Sequence, residues 1–153
     1  MLANALVIQH LDYCDTVWSN CSVTLSNSLQ LHQNRLARIL LSADIRTRIN
    51  DMMNALNWVP LEKRWNNHLL IMLFKCLTDN APNYLSSKFS FVSSNHSHGT
   101  RSQTFNALNH PQWKINPGKR TFHNRACSAW NQLPITVRET FSSLSLQSFK
   151  ELI

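Results

Sequence analysis

Few residues in this sequence could do covalent chemistry. Asp12 and Asp15, in the stretch His10-Leu11-Asp12-Tyr13-Cys14-Asp15-Thr16, come nearest to a pair of metal-binding acids. Two-metal phosphoryl transfer needs carboxylates that converge on ions about 4 Å apart. Thr16 stands where an adjacent second carboxylate would be required, and it supplies no charge. The surroundings have a helical pattern, not that of a hairpin. Leu2, Leu6, Tyr13 and Val17 share one face at about 100° per residue, with His10 at its edge. Asp12 and Asp15 are then neighbours three apart on a helix surface, where solvated acids are the ordinary reading.

The other reactive side chains are scattered. The four cysteines, at positions 14, 21, 76 and 127, include no pair with the two-residue gap of zinc sites. Cys14 and Cys21 are seven apart and can share a helix face, which reads as two buried, reduced thiols. His96 and His98 are half of a metal site at most, because no nearby Cys or carboxylate completes them. No local spacing suggests a nucleophile with its base and orienting group. Glycine occurs only 2 times, and no Gly-rich phosphate loop exists. We therefore expect no catalytic residue, no metal, no cofactor and no small-molecule substrate.

Length and charge narrow the function further. A chain of 153 residues with 43% hydrophobic content can build a core of its own, as one domain or as part of a larger protein. The net charge of +7 points to polyanionic partners. The excess is uneven: residues 1–90 hold 8 Lys/Arg against 6 Asp/Glu, and residues 91–153 hold 7 against 2. No basic segment precedes an apolar one at the start, and the longest apolar run, Leu69 to Phe74, is far shorter than the roughly 20 residues that span a bilayer. The expectation is an intracellular setting, nucleus or cytoplasm, without a membrane partner.

The elements that would position these residues are helices. The spacing predicts a helix over 2–18 and a second over 24–41, with Ser22 or Thr24 as its N-cap. The second helix has Leu25, Leu29, Leu36, Ile39 and Leu40 as its core stripe, and Arg35 and Arg38 to the side or back. A short helix follows over 47–56. Pro60 then begins a long one whose stripe is Leu61, Trp65, Leu69, Met72 and Cys76. From Leu69 to Leu77 apolar residues surround this helix, which marks it as the centre of the core, and His68 is read as a core or boundary histidine. Pro82 to Phe89 reads as a short closing helix. Residues 90–100 form a Ser/Asn/His-rich linker ending near Gly99. Beyond it, 100–115 has room for one or two short strands or coil, and Pro117-Gly118 is a turn. Phe122, Ala126, Trp130 and Leu133 make a helical stripe stopped by Pro134. A last helix is predicted over 143–153, still running at the final residue, which suggests truncation. The fold class is thus mainly α: a helical bundle over 1–89, the linker, and a basic C-terminal segment over 101–153 with helices near 121–133 and 143–153.

The order of short motifs resembles the region after the polymerase palm in non-LTR (LINE-like, jockey-like) retrotransposon reverse transcriptases. The pieces are His10-Leu11-Asp12-Tyr13-Cys14 with Trp18; Leu31-His32-Gln33-Asn34-Arg35-Leu36-Ala37-Arg38; Leu56-Asn57-Trp58-Val59-Pro60-Leu61-Glu62-Lys63-Arg64; Ala81-Pro82-Asn83-Tyr84-Leu85; Thr100-Arg101-Ser102; and Ala129-Trp130-Asn131-Gln132-Leu133-Pro134. A closing Ser148-Phe149-Lys150 follows. Each is weak alone, but six in order over nearly the whole chain make a fairly specific match. The resemblance implies a helical thumb and the segment after it, not the palm of this RNA-directed DNA polymerase family. The family's catalytic aspartates lie upstream of these motifs, so none is carried over, and Tyr13 to Thr16 only mimics the polymerase signature. Gln9 departs from a usual proline, and Asp79-Asn80 from a common glycine.

A thumb holds primer and template mainly through the phosphate backbone, and Arg and Lys on helix faces suit that contact. The candidates are Arg35, Arg38, Arg46 and Arg48, then Lys119, Arg120 and Arg125 beside the helix that begins near Thr121. Lys119 and Arg120 would sit at a helix N-terminus, where the dipole disfavours cations and a bound anion would offset it. Trp113 and Phe122 have rings that can stack on bases or pack inside. The expected partner is RNA or DNA. The alternative is a helical interaction module that docks a polymerase palm or another protein through an uncovered apolar face, with Leu11 and Trp18 as candidates.

Overall fold

The computed structural model describes residues 4–94 and 106–153. Its described residues form ten α-helices and no sheet, as the mainly-α class requires. In order, these are α1 Gln9–Asp12, α2 Asp15–Trp18, α3 Val23–Leu41, α4 Ile49–Leu56 and α5 Leu61–Leu77. They continue with α6 Asn83–Ser86, α7 Asn116–Lys119, α8 Phe122–Gln132, α9 Ile135–Thr140 and α10 Leu146–Leu152. Two compact units divide the chain, Met1–Asn66 and Asn67–Ile153, the division falling within α5. Most of the linker expected over 90–100, with His96 and His98, lies outside the described residues, as does Thr100-Arg101-Ser102.

In the first unit the start of the chain departs from a single helix over 2–18. Asn4–Ile8 is a π-helical turn, wider than an α-turn. Cys14 then takes a left-handed conformation, φ 53°, which breaks the helix between α1 and α2. The Trp18 indole donates to the Tyr13 carbonyl and closes the break. A wide turn and a break both shift the phase of the apolar stripe. Leu6, Tyr13 and Val17, expected to share one apolar face, are 63%, 75% and 72% exposed, while Ile8 and Leu11 are buried. Leu11 and Trp18, expected on a docking face, instead pack with Leu61 and Trp65. The rings of Trp18 and Trp65 meet edge to face at 5.1 Å, and Trp65 Nε1 donates to the Leu11 carbonyl at 3.1 Å.

Helix α3 begins where Ser22 accepts from the Leu25 N–H, and it ends at Ser42 in a left-handed conformation. Its inward face keeps only part of the expected leucine stripe, Leu29 and Leu36, which pack against the cluster of Leu61 and Trp65. Gln33, Asn34 and Ala37 are buried, whereas Ile39 is 73% exposed and Leu25 and Leu40 are open to solvent. The carboxamides are tolerated inside because they are hydrogen-bonded. Gln30 Nε2 donates to Gln33 Oε1 and Asn34 Oδ1, Gln33 Nε2 donates to the Val59 carbonyl, and Gln30 Oε1 accepts from the Leu61 N–H. That last bond satisfies one of the free donors at the start of α5. Ala37 packs with Met52 and Met53 of α4, where a small side chain permits close approach.

In the second unit, α5 supplies Leu69, Leu70, Leu73 and Phe74, the wide apolar surface anticipated for it. They pack with Ala126, Cys127 and Trp130 of α8, with Phe141, and with Phe149 of α10. Phe74 and Phe149 stack at 4.4 Å. Helix α8 has Thr121 as N-cap and ends before Pro134, and Ala126 and Trp130 of its expected stripe are fully buried. Helix α9 was not anticipated, and α10 is shorter than the span 143–153 because Phe141–Ser143 forms a tight turn of its own. The strands with room over 100–115 reduce, among the described residues, to one antiparallel bridge between Phe91 and Leu108.

Candidate nucleic-acid interface

The seven candidate cations fall into two sets. In the first unit, Arg35 and Arg38 lie a turn apart on α3, Arg35 exposed and Arg38 half-buried. The Arg38 Nε is shut off from solvent. Arg46 is exposed in the turn before α4, where its N–H donates to Asp44 Oδ1 at 2.8 Å. Arg48, also exposed, is the N-cap of α4, with Asp51 in the first turn to balance it. Few cations surround them: residues 1–66 hold 6 Lys/Arg against 5 Asp/Glu.

In the second unit, Lys119 and Arg120 are exposed and Arg125 is half-buried. Arg120 and Arg125 each have an interaction within the protein. The dipole argument for Lys119 and Arg120 changes. Lys119 closes the short turn α7, where a cation is favoured, and the Thr121 hydroxyl already accepts from the Asn124 N–H of α8. Arg138, buried and outside the candidate set, donates Nε to the Leu133 carbonyl and serves the fold. Residues 67–153 hold 9 Lys/Arg against 3 Asp/Glu, so the basic excess belongs to this unit.

Beside Lys119 is a cavity of about 360 Å³, lined by His110, Pro111, Gln112, Trp113, Lys119 and Asn124. The Trp113 ring lies over Gly118, where a Cβ would come within 2.5 Å of it. Phe122, the other stacking candidate, packs edge to face on Phe89 at 5.9 Å and belongs to the interior. His123 follows it, with Phe89 against its ring at 5.1 Å. Burial holds its imidazole below the usual histidine range, and the positive charges of Lys88 and His110 push the same way. Neither Lys88, His110 nor His123 stood out in the sequence. Their common signal is weak, one Lys and two His spread over 36 positions, and only the fold draws them together.

Several motif residues are engaged in holding their own unit. Asp12 pairs with Arg64 at 2.9 Å, and Asp15 is only 3% exposed, so the two are not solvated surface acids. Trp130 Nε1 donates to the Asn106 carbonyl, and Asn106 Nδ2 donates to the Arg138 carbonyl. Cys76 and Cys127 are buried, and burial raises both thiols, Cys127 to about 11. Cys14 is exposed and Cys21 half-exposed, contrary to the expected buried pair. Among the described residues no helix is long and apolar enough to cross a membrane. No protein-family model matches the chain, and no match to it was found among curated proteins or solved structures.

Proposed function

We propose that this chain is a non-catalytic C-terminal region of a non-LTR retrotransposon-type reverse transcriptase, which grips template and primer through their phosphates. The observation that carries this reading is the order of six family motifs along nearly the whole chain. Charge supports it: exposed Arg35, Arg46, Arg48, Lys119 and Arg120 are of the type that neutralises phosphates without reading sequence. Such a region works inside the cell, in the nucleus or cytoplasm, and leaves bond formation to the palm of its parent polymerase.

The test is a salt titration of the full chain with a labelled RNA–DNA hybrid. Binding is expected in the micromolar range or weaker at physiological salt, falling steeply as salt rises, as sequence-independent contacts do. Changing Arg35, Arg46, Arg48 and Arg120 together to Glu should flatten that slope. A variant that binds like the parent would remove these residues from the interface.

One observation favours a second reading, a helical interaction module. Leu6, Tyr13 and Val17 expose large apolar side chains in a unit of nearly balanced charge. A polymerase palm or another protein would dock there. Absence of nucleic-acid binding at every salt concentration would favour this reading over the first.

A further inference from the structure

We propose that the cavity beside Trp113 receives one unpaired nucleotide, with its base on the indole and its phosphate toward Lys119 and His110. The inference deepens the nucleic-acid reading above and rests on it for the polymer to which the nucleotide belongs.

Three features of the cavity point to the same ligand chemistry. The first is the ring. Trp113 is seated on Gly118 yet remains 43% exposed, so part of a large aromatic surface is left for a planar partner. Every base has a π-face, and stacking therefore tolerates any sequence.

The second feature is Asn124, which is 9% exposed and lines the cavity. Its Nδ2 donates to the Lys119 carbonyl at 2.9 Å. A carbonyl can only accept, so this bond fixes which way the amide points. Its Oδ1 is then a buried acceptor without a partner. Buried acceptors of this kind call for a donor. Each of the four bases carries an N–H on its pairing edge, and that edge is free only when the base is unpaired. A free inorganic phosphate offers no such match, because a carboxamide oxygen repels an anion.

The third feature is charge. Lys119 and His110 line the cavity, and no acidic side chain lines it among the described residues. Lys88 adds to the same positive region, where its charge helps keep the His123 ring neutral. A phosphate linked to the stacked base would find its counter-charge there. Size agrees as well. A volume of about 360 Å³ is at the small end of ligand cavities, with room for one nucleotide and not for a base pair.

The experiment compares labelled single-stranded RNA with an RNA–DNA hybrid of the same length, using the full chain at one salt concentration. Trp113→Ala should weaken single-strand binding about tenfold, and Trp113→Phe should restore most of it. Hybrid binding should change by less than about twofold, since backbone contacts do not use the ring. On the unaltered protein, adenosine monophosphate should shift the Trp113 indole N–H resonance, and inorganic phosphate at equal concentration should not. Unchanged single-strand binding by Trp113→Ala, or an unmoved Trp113 resonance, overturns the inference and leaves the hybrid-binding reading standing. Trp113-dependent single-strand binding without any hybrid binding upholds the cavity and removes the backbone grip. Failure to bind either form overturns both.

Discussion

Asn131 clasps the backbone of Leu108: its Nδ2 donates to the Leu108 carbonyl at 3.0 Å, and its Oδ1 accepts the Leu108 N–H at 2.9 Å. One carboxamide thus does for Leu108 what a neighbouring strand would do. Leu108 is almost fully buried, so neither group can turn to water instead. Asn131→Leu should destabilise the protein by about 2–4 kcal/mol, the order expected for orphaning two buried backbone groups. Asn131→Asp should fare no better, because a carboxylate cannot donate to the carbonyl. Urea unfolding monitored by tryptophan fluorescence measures both. A loss below about 0.5 kcal/mol would show that the clasp is not needed.

The carboxamides of α3 play the same part in the first unit. Gln33 is fully buried and donates to the Val59 carbonyl at 3.0 Å, while Gln30 receives the Leu61 N–H at 2.8 Å. Gln30→Ala should cost about 1–2 kcal/mol, as loss of a helix cap does. Gln33→Glu should cost more than Gln33→Leu, because it turns a carboxylate toward the Val59 carbonyl inside the protein. Denaturant midpoints give the order, and a reversed order would contradict the hydrogen-bond pattern.

These residues also mark what could be read in advance. Helices with a dense apolar surface were legible: α5 and α8 each buried residues that their spacing had singled out, Leu61 and Trp65, Ala126 and Trp130. So were the start of α3, where Ser22 is one of the two caps on offer, and the start of α8 near Thr121. The inward face of α3 was legible only in part: Leu29 and Leu36 pack inward as their spacing indicates, but Gln33 and Asn34 are polar by type and become interior only through partners 26 residues away or a turn along the helix. The first helix failed differently, since a π-turn and a left-handed Cys14 shift a phase that periodicity assumes constant. Lys119, Arg120 and Arg125 could be picked by charge. The cavity beside Lys119 could not, because Trp113, His110 and Asn124 meet only after the chain has turned at Asn116–Lys119.

The thiols separate into two reactive and two protected groups. Cys14 is exposed and Cys21 half-exposed, whereas Cys76 and Cys127 are buried. A thiol reagent should modify the first two in the native protein and all four after unfolding. Alkali should expose the difference in stability as well. The Cys127 thiol is pushed up to about 11 by burial, so the unfolded chain releases this proton first as pH rises beyond about 9. Its contribution is intact below that pH and is lost on the way to pH 11, by an amount on the order of 2–3 kcal/mol. Cys127→Ala should show a shallower fall over the same window. Equal slopes in the two proteins would place the alkaline loss elsewhere.

Gly118→Ala tests the seat of the Trp113 ring without touching the ring. The added Cβ would approach Trp113 Cδ2 to 2.5 Å and Cγ to 2.7 Å, atoms near the root of the side chain, so only a shift of the whole indole relieves the clash. Overpacking of this kind costs about 1–3 kcal/mol, or the indole leaves its place. Single-strand binding should weaken as it does for Trp113→Ala, while hybrid binding holds. A crystal structure of Gly118→Ala with the indole unmoved would refute the steric account.

His123 offers a pH readout of the same region. Its imidazole is held below the usual histidine range, first by burial and then by the charges of Lys88 and His110. The folded protein therefore favours the neutral ring, and the unfolded chain takes up a proton first as pH falls past about 6.5. Stability from this group is present above that pH and declines below it. His123→Gln should flatten the decline. A bound phosphate group would offset the charges of Lys88 and His110 and draw the His123 titration back toward higher pH. An NMR titration of the His123 ring, run with and without single-stranded RNA, measures that displacement directly. If RNA binds and the His123 midpoint stays fixed, the phosphate lies away from this cluster.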